Sequence, residues 1–80
     1  MSLRYVGKDP NSEEENCPTV LVDEQTGDYV LQGWVADEGT ITECEKFGPI
    51  APNEAVIRLP ARMTELLKEA IRANEHPDVR

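Results

Sequence analysis

The sequence predicts an α+β fold: a three-stranded, mainly antiparallel sheet, made of a hairpin plus a third strand, packed against one C-terminal helix. Two runs rich in β-branched and aromatic residues, 19–23 and 29–36, flank a short turn. A third alternating run follows at 54–59. After Pro60 the apolar spacing changes from two residues to three and four, the change from strand to helix.

Length and composition set the frame for these elements. With 80 residues there is room for one domain and one small core. A chain of this size buries only about 60% of the surface its unfolded form exposes, so partners often add to its stability. Residues 1–16 are expected to form an N-terminal arm and acidic loop, 17–76 the domain, and 77–80 a tail. No apolar run reaches the length of a membrane span, and Met1-Ser2-Leu3-Arg4-Tyr5 lacks the apolar stretch of a signal peptide. The expectation is a cytoplasmic protein with no membrane contact. Sixteen acidic residues against eight basic ones give a formal charge of −8, all of it carried by residues 1–60. Nucleic-acid binders gather Lys and Arg to displace counterions from phosphates, and here Glu65 and Glu69 interrupt Arg62, Lys68 and Arg72. Direct binding to nucleic acid is therefore not expected, while a basic protein partner suits the field.

Along the chain, Leu3 to Val6 suits a short edge strand with Leu3 and Tyr5 on one side. The stretch from Gly7 to Asn16 holds turn formers, three consecutive glutamates and no apolar residue, and reads as a solvated loop. In the hairpin, Gly27 can take the left-handed conformation that closes a three-residue loop with a bulge. Glu24 then faces Asp28, and Val22 pairs with Val30, Leu21 with Leu31, and Val20 with Gln32. One face carries Val20, Val22, Val30 and Trp34; the other carries Leu21, Tyr29, Leu31 and Val35. A slip of one residue would exchange the sets. Thr40 and Glu43 have capping-box spacing and Gly48-Pro49 is a stop, which predicts a helical turn or two over Ile41–Phe47, although Thr and Ile also suit a strand. Pro49 and Pro52 mark an extended connection. Pro60 suits the first position of a helix over 61–73, with Met63, Leu66, Leu67, Ala70 and Ile71 on one face. Glu65–Lys68 and Glu69–Arg72 lie at neighbouring spacing on the other, and Asn74 with His76-Pro77 ends the helix.

Reactive chemistry is sparse. Cys17 and Cys44 are 27 residues apart with no Cys-x-x-Cys pair, and adding His76 makes three scattered candidates where structural zinc wants four at set spacings. They read as buried or partly buried thiols packed as small hydrophobes. His76 is the sole histidine, so a nucleophile–base pair has little to work with. Asp23, Glu24 and Asp28 cluster at the hairpin turn but do not match a calcium loop, and turn carboxylates are usually solvated. With no glycine-rich phosphate loop either, the expectation is a non-enzyme with no catalytic residues, metal or cofactor.

What remains is surface for proteins. Both hairpin faces are apolar, and a single helix covers one of them. Trp34 suits either the core, against Met63 and Leu67, or an exposed face. Exposed apolar patches on soluble chains usually mark contacts, and two-fold self-association is the simplest way to cover one. The candidate partner-binding residues are Tyr29, Leu31, Trp34 and Val35, with Val20, Val22 and Val30 under the helix. A homodimer is expected.

Cys17-Pro18-Thr19-Val20-Leu21, Gly27-Asp28-Tyr29-Val30-Leu31-Gln32-Gly33-Trp34 and Val56-Ile57-Arg58-Leu59-Pro60-Ala61-Arg62-Met63 resemble a group of small actinobacterial proteins with a CPT…VQGW…LPARM-like pattern. The likeness spans about residues 17–72, and 38–53 depart from it most. That group is similar in layout to the small acidic partners of helix-turn-helix developmental regulators. The resemblance implies a regulatory partner that binds such a DNA-binding regulator, and it carries over no catalytic residues. The competing expectation is an acidic antitoxin or DNA-mimic inhibitor of a basic protein. The two differ in driving force, because acidic mimicry weakens steeply with salt and apolar contact does not.

Overall fold

The strands and helices follow in the order β1 (Leu3–Lys8), β2 (Thr19–Asp23), β3 (Tyr29–Gln32), β4 (Trp34–Val35), α1 (Glu38–Glu45), β5 (Ile57–Arg58) and α2 (Thr64–Glu75), with a 3₁₀ turn, Ala61–Met63, leading into α2. This is a computed structural model, and it describes residues 2–11 and 17–75. The expected acidic run at 13–15, His76 and the 77–80 tail lie outside the described residues. The architecture is α+β: a three-stranded antiparallel sheet in the order β1-β2-β3 with the C-terminal helix packed on it.

The third strand is β1 at the N-terminus, not the 54–59 run. Only Ile57–Arg58 of that run forms a strand, and it pairs with β4 in a separate two-stranded ribbon. The arm expected at 1–16 thus belongs in part to the folded sheet. Backbone hydrogen bonds close both ends of the β1–β2 pair, from Asp9 N to Pro18 O at 2.9 Å and from Glu24 N to Ser2 O at 2.8 Å. Between Tyr5 and Gly7 the register shifts, and Val6, the extra residue, packs against the core.

The hairpin loop is one residue longer than the sequence suggests. Val22 pairs with Tyr29, Leu21 with Val30 and Val20 with Leu31. Asp23, not Glu24, faces Asp28, its amide donating to the Asp28 carbonyl at 2.8 Å. The loop therefore has four residues, closed by Gly27 N–H donating to Asp23 O at 2.8 Å with Gly27 at φ 83°. Two side chains favour this longer turn: Asp23 Oδ1 accepts from Gln25 N, and Thr26 Oγ1 accepts from Asp28 N. Asn74 Nδ2 donates to Gly27 O at 2.7 Å and fixes the turn to the end of α2.

The slip moves every β3 side chain to the other face. Directly opposed residues share a face, so Tyr29 and Leu31 lie on the side of Val20 and Val22, where α2 packs. Tyr5, Leu21 and Val30 form a row across the side away from α2. The expected placement of Val30 under the helix, with Tyr29 and Leu31 on the open face, is corrected accordingly. Val20, Val22, Met63 and Ala70 form the buried core, flanked by Val6, Leu59, Leu66 and Leu67. Burial of each of the two valines and of Met63 contributes about 1.5–3 kcal/mol, and the Ala70 methyl less. Ile71, at the edge of the same helical stripe, is exposed. Pro60 sits just before the first turn, with extended ψ, instead of inside it.

Residues 38–45 are helical, so helix wins over strand in the ambiguous middle segment. Its cap is Asp37, three residues before the expected Thr40: Asp37 Oδ1 accepts from Thr40 N at 2.8 Å.

Candidate functional site

The four candidate contact residues are all exposed, but they fall on two different strands. Tyr29 and Leu31 lie on β3, the strand of the sheet that α2, packed over β1 and β2, does not cover. Trp34 and Val35 lie on β4, beyond Gly33. A Cβ at Gly33 would come within 2.7 Å of the Arg58 carbonyl oxygen, so the absence of a side chain lets β5 cross close by. Trp34 is 41% exposed and stands opposite Arg58, outside the core cluster of Met63 and Leu67. Val35 is 85% exposed.

A groove of about 410 Å³ forms where the ribbon meets α1. Val35 and Ile57 of the ribbon, Ile41 of α1, and Ile50 and Val56 of the connection line it, with Glu45 and Glu54 as its ionisable groups. α1 buries no residue, and Phe47 just past its end is 91% exposed. The groove wall is held by a polar chain: Arg58 Nη1 donates to Thr40 Oγ1 at 2.9 Å, and the Thr40 amide is bound by Asp37. The Thr40 amide, then its hydroxyl, with the Arg58 charge adding, hold the Asp37 carboxyl below the usual carboxylate range. Ala36 N donates to Val56 O at 3.1 Å, joining the start of α1 to the far side of the groove. Glu54 Oε1 accepts from Ala51 N at 2.9 Å, which sets the turn of the connection. Chemically the groove offers apolar contact beneath a negative rim.

A second feature escaped the sequence. Asp9 is the one charged side chain buried among the described residues, and both its oxygens meet Arg62 Nε and Nη2 at 2.6 Å. Asp9 also accepts from Asn11 N at 3.1 Å. The pair ties the end of β1 to the turn that starts α2, 53 residues on. Its hydrogen bond to Asp9 holds the Arg62 guanidinium above its already high ordinary pKa, so Arg62 stays charged at any ordinary pH. Asp-Pro-Asn reads locally as a turn, and nothing in the spacing announces a partner so distant.

Cys17 and Cys44 are half-buried cysteines on different parts of the fold, not joined to each other by a disulfide. The Cys17 carbonyl accepts from Thr19 Oγ1 and from Gln32 Nε2. Among the described residues no group of three His, Cys, Asp or Glu is placed to hold a metal ion, and no helix is long and apolar enough to cross a membrane. An open cleft of about 420 Å³ between β1 and α2 is lined by Arg4, Tyr5, Val6, Glu69, Arg72 and Ala73, mixing both signs of charge. No protein-family model, curated protein or solved structure matches the chain.

Proposed function

We propose that this protein is a small acidic, non-enzymatic interaction module of the cytoplasm that acts as the regulatory partner of a DNA-binding regulator and pairs with a second copy of itself. The observation that carries the reading is the exposure of Trp34, Val35 and Phe47 in a chain with so few large apolar residues. A small domain that leaves such side chains in water forgoes stability it needs, which favours a partner that covers them. Identification of that partner as a DNA-binding regulator rests on the sequence resemblance. Self-association is proposed for the sheet side away from α2, through Tyr5, Leu21 and Val30. The −8 charge also supports a second reading, an acidic inhibitor that occupies the nucleic-acid site of a basic protein.

Affinity capture on the immobilised chain, with wild type compared with a Val35→Ser/Phe47→Ser double variant across a salt series, tests the proposal. Capture of a DNA-binding protein that survives high salt and is lost in the double variant is the expected result. Capture that vanishes with salt and ignores the double variant favours acidic mimicry. Sedimentation equilibrium tests the pairing: a 9.0 kDa species persisting at high micromolar concentration contradicts it.

A further inference from the structure

We infer that the groove between the ribbon and α1 receives a basic segment of a partner protein, one that places aliphatic side chains between lysines or arginines. The inference rests on the interaction-module reading and adds the site and the chemistry of what occupies it. Shape supplies the first argument. The groove is lined by aliphatic side chains, those of Val35, Ile41, Ile50, Val56 and Ile57, and its volume of about 410 Å³ is enough for one or two inserted side chains.

Charge complementarity supplies the second. From Trp34 to Ile57 the chain carries Asp37, Glu38, Glu43, Glu45 and Glu54 against Lys46 alone, and Lys46 Nζ is drawn to Glu43 at 3.0 Å. Glu45 and Glu54 stand at the groove itself, and among the described residues neither pairs with a cation. α1 has no basic residue in its last turn, so the negative end of its dipole beside Glu45 is not offset from within the helix. An incoming Lys or Arg would meet these charges at the rim while its aliphatic neighbours enter the floor, which gives orientation from charge and residence from burial. The sheet side away from α2 differs: its row of Tyr5, Leu21 and Val30 is flanked by Lys8 at one end and Asp23 at the other, so its two ends carry opposite charge, whereas Glu45 and Glu54 give the groove one sign.

The test uses the full chain, labelled for NMR, and three synthetic peptides: one with leucine pairs flanked by lysines, one with the leucines changed to serine, and one with the lysines changed to glutamate. The leucine–lysine peptide is expected to shift the resonances of Val35, Ile41, Ile50, Val56 and Ile57. Both altered peptides should lose that effect, and Glu45→Gln/Glu54→Gln should weaken binding about fivefold at low salt. Since both glutamates are exposed, the double variant should fold as wild type does, which its spectrum reports directly. Equal binding by the serine peptide, or shifts spread over the acidic surface, would overturn the groove as the site. Shifts centred on Tyr5, Leu21 and Val30 would also overturn it while leaving an interaction module standing. Capture of a protein partner unaffected by Val35→Ser/Phe47→Ser would do the same, whereas failure of both capture and titration would remove the underlying reading as well.

Discussion

The β1–β3 sheet under α2 buries Val20, Val22, Met63 and Ala70, whereas the β4–β5 ribbon and α1 bury Ala36 and leave Trp34, Val35 and Phe47 in solvent. In the first region each element is tied by both packing and polar locks: the Asp9–Arg62 pair at one end of α2 and the Asn74–Gly27 bond at the other. In the second, one two-residue ladder extended by the Ala36–Val56 backbone bond, an N-cap and the Arg58–Thr40 bond hold an eight-residue helix with no buried side chain. A chain of 80 residues thus divides a small apolar supply between two uses. One part makes the fold persist, and the other is held mainly by hydrogen bonds and keeps its apolar atoms outward. Regions that bind are commonly drawn from the less stable end of a structure.

The largest expected contrast comes from truncating one apolar residue in each region. Met63→Ala removes a fully buried side chain from the centre of the core and should cost about 2–5 kcal/mol, enough to threaten a domain of this size. Phe47→Ser, at 91% exposure, should stay within about 0.5 kcal/mol of wild type. Urea midpoints measured side by side check both. A costly Phe47→Ser would break the comparison, because the ribbon region would then hold a core of its own.

Next in size is the buried ion pair. Asp9→Ala removes the charged hydrogen bonds to a half-exposed arginine and should cost about 1.5–3 kcal/mol. Arg62→Ala should cost more, since it leaves the Asp9 carboxylate dry with fewer donors. In both variants α1 and the ribbon should keep their native chemical shifts, which sharpens the separation of the two regions. Spectral changes centred on α1 would argue for a single cooperative body.

The elements differ in how far they could be read from sequence, and the reasons are local. The helix over 64–75 and the hairpin were legible because apolar spacing is the direct image of which face is buried. The hairpin register was not, because a glycine in the left-handed region closes a three-residue or a four-residue loop equally well. The side-chain bonds of Asp23 and Thr26 that favour the longer one look like ordinary turn composition. That single residue relocated Tyr29 and Leu31 to the helix side and Leu21 and Val30 to the open side. The third strand was misplaced for a related reason: 54–59 alternates better than Leu3–Lys8, but its approach is limited to a short ladder with β4. Of the candidate contact residues, Val35 lines the groove and Trp34 adjoins it, whereas Ile41, Ile50 and Val56 are brought beside them only by the path of α1 and the connection that follows it. Asp9 had no signal at all, since its partner lies 53 residues away.

The smallest predicted effect is a pH dependence confined to α1. The folded pKa of Asp37 is lowered from 3.8, so its contribution is fully present above that unfolded value and is lost as pH falls through the lower folded one. Helicity of α1 should be flat from neutral pH to about 4 and fall below it. Asp37→Asn, which caps without titrating, should lack that component. Amide shifts of Thr40 and Ile41 during an acid titration report it, and identical profiles for the two proteins would place the cap elsewhere.

Native-state hydrogen exchange tests the division between the regions most directly. Amides of Val20, Leu21 and Val22 in β2 should exchange only through global unfolding, with protection that falls in parallel as denaturant is added. Amides of α1 that bond within the helix, such as those of Cys44 and Glu45, should exchange through local opening, at least about tenfold faster and nearly independent of denaturant. Equal protection in β2 and α1, with the same denaturant slope, would contradict the account: the ribbon and α1 would then unfold with the core as one cooperative body.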